Sequence, residues 1–181
     1  MGSAARKLEP MTLEEYEALP EEDRVEIING FVYAMSSPTV RHQRISMKLS
    51  TDIYRYIDSK KGHCEVFSAP FDVKLKDKPL TIVQPDIVIV CDPKKTENGK
   101  RCEGAPDWVI EIVSPSSREH DYLTKLSLYK EAAVREFWIV DPDQEQVITY
   151  MLEEERFEVK IYHFGDEIPV GIYEDLKVVI E

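Results

Sequence analysis

Apolar residues along this chain repeat with two periods, one typical of helices and one typical of strands. Between residues 40 and 60 they recur at helical spacing, at Ile45, Leu49, Ile53 and Tyr56, and His42 falls on the same stripe. Residues 25–35 form two short apolar segments around Asn29-Gly30, the strongest two-residue hairpin signal. Residues 146–152, 157–163 and 176–180 alternate as antiparallel strands do. The pattern therefore predicts a chain that mixes helices and strands.

Two further apolar runs, residues 81–90 and 106–115, are rich in β-branched residues and apolar on both faces. Such runs predict central strands of a covered sheet, where an ionised group is costly unless a partner or a metal holds it. Each run nevertheless carries a carboxylate, Asp86 in the first and Glu111 in the second. Two carboxylates on neighbouring strands offer oxygen ligands to a hard divalent cation, so the runs predict a metal site.

Capping signals and one more apolar run complete the predicted order of elements. Thr12 and Glu15 form a capping box at the start of a short helix, and Ser116 and Glu119 form another before a helix that extends to about Ala133. Residues 134–142 predict another buried strand. The order of helix, hairpin, helix, strands, helix and strands predicts an α+β fold, a mixed sheet flanked by helices. Residues 1–10 are expected to be a flexible tail and residues 11–181 a single domain.

The charge balance changes the functional expectation. With 23 basic and 35 acidic residues the net charge is −12, which argues against broad electrostatic capture of a polyanion. A local basic groove remains compatible with that total. The alternative is ordinary solvated loop charge. The basic residues in question cluster around the Asp86 strand and are Lys74, Lys76, Lys78, Lys94, Lys95, Lys100 and Arg101.

Cysteine spacing and hydropathy predict the cellular compartment. Cys64, Cys91 and Cys102 are widely spaced and form no C-x-x-C motif, so we expect free thiols, without a disulfide framework or a structural zinc site. No apolar run approaches the roughly 20 residues of a membrane span, and the chain starts without an apolar signal-peptide core. A cytoplasmic protein with no membrane partner is expected.

Six separated motifs occur in an order that resembles the Uma2 family, also called DUF820, from Thr12 onward. The motifs are the hairpin 26–30, His42 at a helix start, Gln84-Pro85-Asp86, residues 109–116, a helix with Asp121, Lys125 and Tyr129, and residues 136–142. That family is placed in the PD-(D/E)XK nuclease superfamily. The resemblance implies a restriction-endonuclease-like core with an N-terminal β-hairpin and C-terminal antiparallel strands, and hydrolysis of phosphodiester bonds at a divalent-metal site.

Carried over residue by residue, the resemblance implies that Asp86, Glu111 and the carbonyl of Ile112 hold Mg²⁺ or Mn²⁺. The superfamily's lysine would fall at Val113, which cannot supply a charge. Lys125 is the expected substitute, and the alternative is that Lys125 forms an i,i+4 pair with Asp121 on an exposed face.

The roles of the remaining site residues are less constrained. Glu26 either takes part in the catalytic site, holding a second cation or positioning the first through water, or forms a salt bridge with a nearby basic residue. His42 either belongs to the catalytic site or is a hydrogen-bonded core histidine. The same motifs imply that Gln84 and Ser114 bind substrate.

The leading prediction is a Mg²⁺- or Mn²⁺-dependent endonuclease that acts on DNA. The alternative is a catalytically inactive nuclease-fold dimer that serves as a binding or regulatory module, and a hydrolase acting on a smaller phosphate ester remains a third possibility. The apolar and aromatic content of the late strands, together with the resemblance, predicts a homodimer with a two-fold contact.

Overall fold

The computed structural model describes residues 10–20, 23–114 and 120–181. Its helices are α1 (Leu13–Glu17), α2 (Val40–Ser59) and α3 (Leu126–Glu131), with a 3-10 helix at Pro93–Thr96 and a π-helical segment at His120–Lys125. Its strands are β1 (Val25–Ile28), β2 (Phe31–Ala34), β3 (Glu65–Ser68), β4 (Val73–Asp77), β5 (Leu80–Val83), β6 (Ile87–Val90), β7 (Cys102–Glu103), β8 (Trp108–Ile112), β9 (Glu136–Asp141), β10 (Gln146–Glu153), β11 (Arg156–His163), β12 (Ile168–Pro169) and β13 (Lys177–Val178). Residues 1–9 of the tail predicted for residues 1–10, and the capping box at Ser116 and Glu119, lie outside the described residues.

The strands form two mixed sheets and a short ribbon. One sheet has the order β2-β1-β5-β4-β7, and the other has the order β11-β10-β9-β8-β6-β3. Most neighbours are antiparallel, whereas β4 with β7 and β8 with β9 are parallel. The predicted α+β class with mixed strands is confirmed, but the strands divide between two sheets where one was expected.

The apolar run at residues 81–90 is two strands, so its prediction as a single strand is wrong. It breaks at Gln84-Pro85-Asp86, between β5 in the five-stranded sheet and β6 in the six-stranded sheet. Pro85 has no backbone N–H to give to a ladder, which explains the break. Asp86 therefore lies at the entrance to β6, where the chain passes from one sheet to the other.

The six-stranded sheet is covered on both faces. α2 buries Ile45, Leu49, Ile53 and Ile57 in one apolar cluster, which includes Trp108 and Ile110 of β8. The predicted Tyr56 is only partly buried, and Ile57 takes the core position. α3 contributes Leu128 and Tyr129 to the cluster on the other face, with Val109 and Val113. β6 and β8 are thus central strands, as their sequence predicts.

The hairpin and the first helix match the sequence. Asn29 and Gly30 both have positive φ, 53° and 83°, as a two-residue hairpin turn requires. Thr12 and Glu15 form the predicted capping box. No helix in the described ranges is long and apolar enough to cross a membrane.

Two predictions for the later chain need correction. Residues 176–180 supply only the short β13, which pairs with β12 in a separate ribbon instead of joining the large sheet. Cys64 and Cys91 form a disulfide, whereas Cys102 is a buried free thiol. The antiparallel register of β3 with β6, in which Glu65 lies opposite Val90, brings the two cysteines together although 27 residues separate them in sequence.

Candidate active site

Lys125 lies between two carboxylates in the interior of the protein. Its Nζ atom is 2.9 Å from Oε1 of Glu26 and 2.8 Å from Oε1 of Glu111. The side chains of Lys125, Glu26 and Glu111 are only 3%, 4% and 5% exposed, respectively. The alternative that Lys125 lies on an exposed helix face is therefore wrong, and the salt bridge considered for Glu26 is present, with Lys125 as its partner.

Further donors hold the same two carboxylates. The hydroxyl group of Tyr129 donates to Oε1 of Glu111 at 2.6 Å, and the backbone N–H of Gln84 donates to Oε1 of Glu26 at 2.8 Å. A buried carboxylate is tolerated when such hydrogen bonds and a counter-ion replace its water. The protein itself thus supplies hydrogen-bond partners for both carboxylates.

Local structure explains how these side chains meet. Glu111 points to the same face of β8 as Val109 and Val113 because alternate residues share a face. Lys125 and Tyr129 are four positions apart at the junction of the π-helical segment and α3, so both reach Glu111 from one side of this helix. Glu26 comes from β1, which pairs with β5 and so lies beside Gln84.

Asp86 and His42 form a second pair at the edge of this group. Oδ2 of Asp86 accepts a hydrogen bond from the backbone N–H of Ile112 at 2.7 Å, which ties Asp86 to the end of β8. Oδ1 of Asp86 is 3.0 Å from Nε2 of His42. The side chains of Asp86 and His42 are 18% and 12% exposed, so they are closer to solvent than the Lys125 group. Nδ1 of His42 is buried and has no hydrogen-bond partner among the described residues.

All eight residues implied by the family motifs line one cavity of about 360 Å³. They are Glu26, His42, Gln84, Asp86, Glu111, Ile112, Ser114 and Lys125. The structure thus brings together residues that the sequence separates by up to a hundred positions. Their individual roles in catalysis, metal binding and substrate binding stay predictions.

Two further residues were missed by the sequence reasoning, one that lines the cavity and one bonded to a residue that lines it. Arg24 lines the cavity, and its Nε atom is buried without a partner among the described residues. Arg24 lies two positions before Glu26, so strand alternation was a usable signal for it. Asp72 accepts hydrogen bonds of 2.9 Å from Nε2 of Gln84 and from the hydroxyl group of Tyr16. Burial, and then the charge of Asp72, raises the pKa of Tyr16 well above its ordinary value, which keeps this hydroxyl protonated as a donor.

The donor set suits a divalent cation that keeps part of its water. In the described parts of the chain no three His, Cys, Asp or Glu side chains converge as a ready metal cage. Asp86 and Glu111 do face one cavity, together with Ile112. Mg²⁺ characteristically binds through one or two carboxylates and retains several waters, so two carboxylates in a cavity of this size fit Mg²⁺ or Mn²⁺.

Three of the seven basic residues near Asp86 have acidic partners among the described residues, namely Lys74, Lys76 and Arg101. Lys74 pairs with Asp77 and Glu103, and this pairing raises the pKa of Lys74. Lys76 pairs with Glu131. These contacts indicate that Lys74 and Lys76 are ordinary paired charges and not part of a basic groove.

A different basic surface follows the outer face of α2. A groove of about 690 Å³ runs along this helix and shares Pro38 and Gln43 with the cavity. Arg44, Lys48 and Arg55 line the groove. Lys48 pairs with Asp52, whereas Arg44 and Arg55 form no ion pair with any described residue.

The fold of this chain is that of a solved DUF820 protein. The chain matches the crystal structure of "a putative nuclease belonging to DUF820" from Anabaena variabilis ATCC 29413 with a TM-score of 0.76 and 24% identity, covering 94% of this chain and 95% of that one. A family model, Uma2, described as "Putative restriction endonuclease", matches residues 13–177, so the chain belongs to the Uma2 family. It is also 26% identical over 163 residues to an uncharacterized protein, slr1290, of Synechocystis sp. (strain ATCC 27184 / PCC 6803 / Kazusa), covering 89% of this chain and 76% of that protein. The resemblance read from the six motifs is thereby confirmed.

Proposed function

We propose that this protein is a metal-dependent endonuclease that hydrolyses phosphodiester bonds in DNA. The observation that carries the proposal is the burial of Lys125 between Glu26 and Glu111 in the cavity that also contains Asp86. Phosphodiester hydrolysis needs ligands for a cation and a positive donor for developing charge. Asp86 and Glu111 can be the ligands, and Lys125 can be the donor. Membership of the Uma2 family supports the same activity.

Asp86, Glu111 and the carbonyl of Ile112 would hold the cation. When bound, Mg²⁺ or Mn²⁺ supplies Lewis acidity to the phosphate and the attacking water. Asp86 is already oriented by the N–H of Ile112 and by His42, so its carboxylate would need little rearrangement to serve as a ligand.

Lys125 supplies the positive charge that Val113 cannot. Its ammonium group is held by Glu26 and Glu111, which fixes its position next to a proposed metal ligand. From there it would orient the attacking water or stabilise negative charge on the phosphate, an effect worth a few kcal/mol for a preorganised donor. In this scheme Glu26 positions Lys125, and Gln84 and Ser114 contact the substrate at the cavity wall.

The groove along α2 supports a nucleic-acid substrate. It continues from the cavity through Pro38 and Gln43, so a strand bound in the cavity can extend along the helix. Arg44 and Arg55 are exposed there and are not neutralised by described acids, although the chain as a whole carries a charge of −12. A local attraction of this kind positions a polyanion without broad, nonspecific capture.

The direct test is cleavage of supercoiled plasmid with Mg²⁺ or Mn²⁺. We expect wild-type protein to nick or linearise the plasmid only with the metal, and Asp86→Asn and Glu111→Gln to lose at least about a hundredfold in rate. Glu154→Gln, which removes a carboxylate at an exposed hairpin tip, is the matched control and should keep the wild-type rate. Cleavage that persists in both site variants would contradict the assignment.

A catalytically inactive, DNA-binding member of the fold is the second candidate. It is favoured by the protein partners that Asp86, Glu111 and Glu26 already have, because each carboxylate has a polar contact within the protein without a bound cation. Such a module would bind DNA through the same cavity and groove. Wild-type protein that binds plasmid but remains inert with every divalent metal would support this candidate over the nuclease.

A further inference from the structure

The outer edge of the six-stranded sheet is a long strand with an exposed apolar face. β11 spans the eight residues Arg156–His163 and, among the described strands, pairs only with β10. It contains no proline and no break in its register with β10. An exposed edge of this kind is a template for pairing with another strand, and soluble proteins usually block or occupy it.

The side chains of β11 divide sharply between two faces. Phe157, Val159 and Ile161 lie on one face and are 56%, 45% and 61% exposed, respectively. They lie opposite Leu152, Tyr150 and Ile148 of β10, so they extend an apolar surface that begins in the core. The other face carries Glu158 and Lys160, whose carboxylate and ammonium groups are 2.9 Å apart.

We propose that β11 pairs in antiparallel orientation with β11 of a second copy of this chain, about a two-fold axis at Val159. In this register Phe157 lies opposite the partner's Ile161, and Val159 lies opposite the partner's Val159. On the other face, Glu158 lies opposite the partner's Lys160. Opposite residues of an antiparallel pair point to the same side of the sheet, so apolar side chains meet apolar ones and each acid meets a base.

Charge selects this register over its neighbours. A one-residue slip would place the apolar face of one strand against the polar face of the other, because side chains alternate. Moving the axis to Glu158 keeps the faces matched but sets Glu158 opposite its own copy, and moving it to Lys160 does the same with two ammonium groups. Like charges directly opposite each other are destabilising. Of these three axes, only the one at Val159 satisfies both the apolar and the charged face.

The same self-complementarity identifies the occupant as a second copy. A strand that is its own charge complement under a two-fold operation matches itself without any further partner, and two-fold contacts are the commonest in homo-oligomers. The pairing would join the six-stranded sheets of two protomers into one continuous sheet. It would also bring Phe157 against the partner's Ile161 and so remove part of their apolar surface from water.

Charge reversal tests the register. Wild-type protein should show twice the 21.0 kDa chain mass by light scattering at micromolar concentration. Glu158→Lys and Lys160→Glu should each weaken the dimer at least tenfold, because each sets like charges opposite each other. The double variant Glu158→Lys/Lys160→Glu should recover the dimer, and an equimolar mixture of the two single variants should form heterodimers. Wild-type protein that is monomeric would overturn the proposal, as would single variants that dimerise like wild type.

Cysteine cross-linking tests the axis without relying on charge. Val159→Cys should give a covalent dimer under mild oxidation, because opposite Cα atoms in an antiparallel pair are about 4.5–5.5 Å apart. Ile161→Cys on the same exposed face is the matched control. Ile161 would lie opposite the partner's Phe157, four positions from the partner's Ile161. The Ile161→Cys variant should therefore cross-link far less. Equal cross-linking of both variants, or none for Val159→Cys, would refute the axis. A melting curve for each variant establishes that it is folded.

Discussion

Nζ of Lys125 lies 2.8 Å from Oε1 of Glu111, although the two residues belong to different elements and are 14 positions apart in sequence. The superfamily's lysine would fall at the position of Val113. In this chain Val113 is buried in the same apolar cluster as Val109. The positive charge next to Glu111 therefore comes from Lys125, at the junction of the π-helical segment and α3, and not from the strand that carries Glu111. Lys125 also contacts Glu26, so its ammonium group connects residues of the two sheets at the cavity.

Removing Lys125 is expected to affect stability as well as activity. Lys125→Met would leave Glu26 and Glu111 buried without their shared counter-ion, and breaking a buried pair in this way costs about 3–5 kcal/mol. Urea denaturation should show this loss, and plasmid cleavage should be abolished. The double variant Lys125→Met/Glu26→Gln removes one of the uncompensated charges, so it should recover part of the stability without recovering activity.

Lys48→Met is the control for the stability measurement of the lysine experiment. Lys48 pairs with Asp52 on the exposed face of α2, where an i,i+4 ion pair contributes well below about 1 kcal/mol. We therefore expect little change in the free energy of unfolding for this variant. A Lys125→Met variant as stable as Lys48→Met would contradict the buried position of Lys125, and one with full activity would contradict its proposed role.

Divalent cations should stabilise the folded protein through Asp86. A ligand that binds only the native state raises its stability by mass action, by about 2.7 kcal/mol at a hundredfold excess over its Kd. Mn²⁺ should therefore raise the melting temperature of wild type and of Glu154→Gln, and raise that of Asp86→Asn much less. An equal shift in all three proteins would place the cation elsewhere.

Local signals in the sequence predicted the elements better than their assembly. The capping box at Thr12 and the turn at Asn29-Gly30 depend on neighbouring residues alone, and both are confirmed. Pro85 is the local signal against one continuous strand, because proline is rarely tolerated in a central strand. The division of the strands between two sheets depends on long-range pairing, which no local pattern specifies.

The candidate site likewise has some residues that local signals reveal and some contacts that depend on long-range packing. The carboxylates Asp86 and Glu111 stood out because each interrupts an apolar run. The contact of Lys125 with Glu26 spans 99 positions and depends on the packing of a helix against a different sheet, so the sequence left its alternatives open. The disulfide between Cys64 and Cys91 likewise follows from the register of β3 with β6, which the spacing of the cysteines does not reveal.

Thiol titration should distinguish the three cysteines. Burial raises the pKa of Cys102 to about 11, so its thiol should react slowly in the native protein. We expect almost no reactive thiol in the native state, one after denaturation without reductant, and three after denaturation with reductant. Three thiols in the denatured, unreduced protein would show that Cys64 and Cys91 are not bonded.

The groove along α2 predicts a specific dependence of DNA binding on salt. Each phosphate neutralised on duplex DNA contributes about −0.9 to the slope of log K against log salt concentration. Arg44→Gln and Arg55→Gln should each weaken binding and make this slope shallower by about that amount, whereas the rate of cleavage at saturating DNA should change little. Fluorescence anisotropy of a labelled duplex without divalent metal measures the slope.

Lys94→Gln is the matched control for the groove, since it removes one exposed positive charge that lines neither the groove nor the cavity. Because long-range fields of exposed charges are screened within about 10 Å at 0.1 M salt, a charge outside the binding surface should leave the slope unchanged. If all three variants lowered the slope equally, attraction by total charge would explain binding and the groove would have no special part in it. If none of the three variants changed the slope, the DNA would bind along another surface, even if the protein still cleaved it.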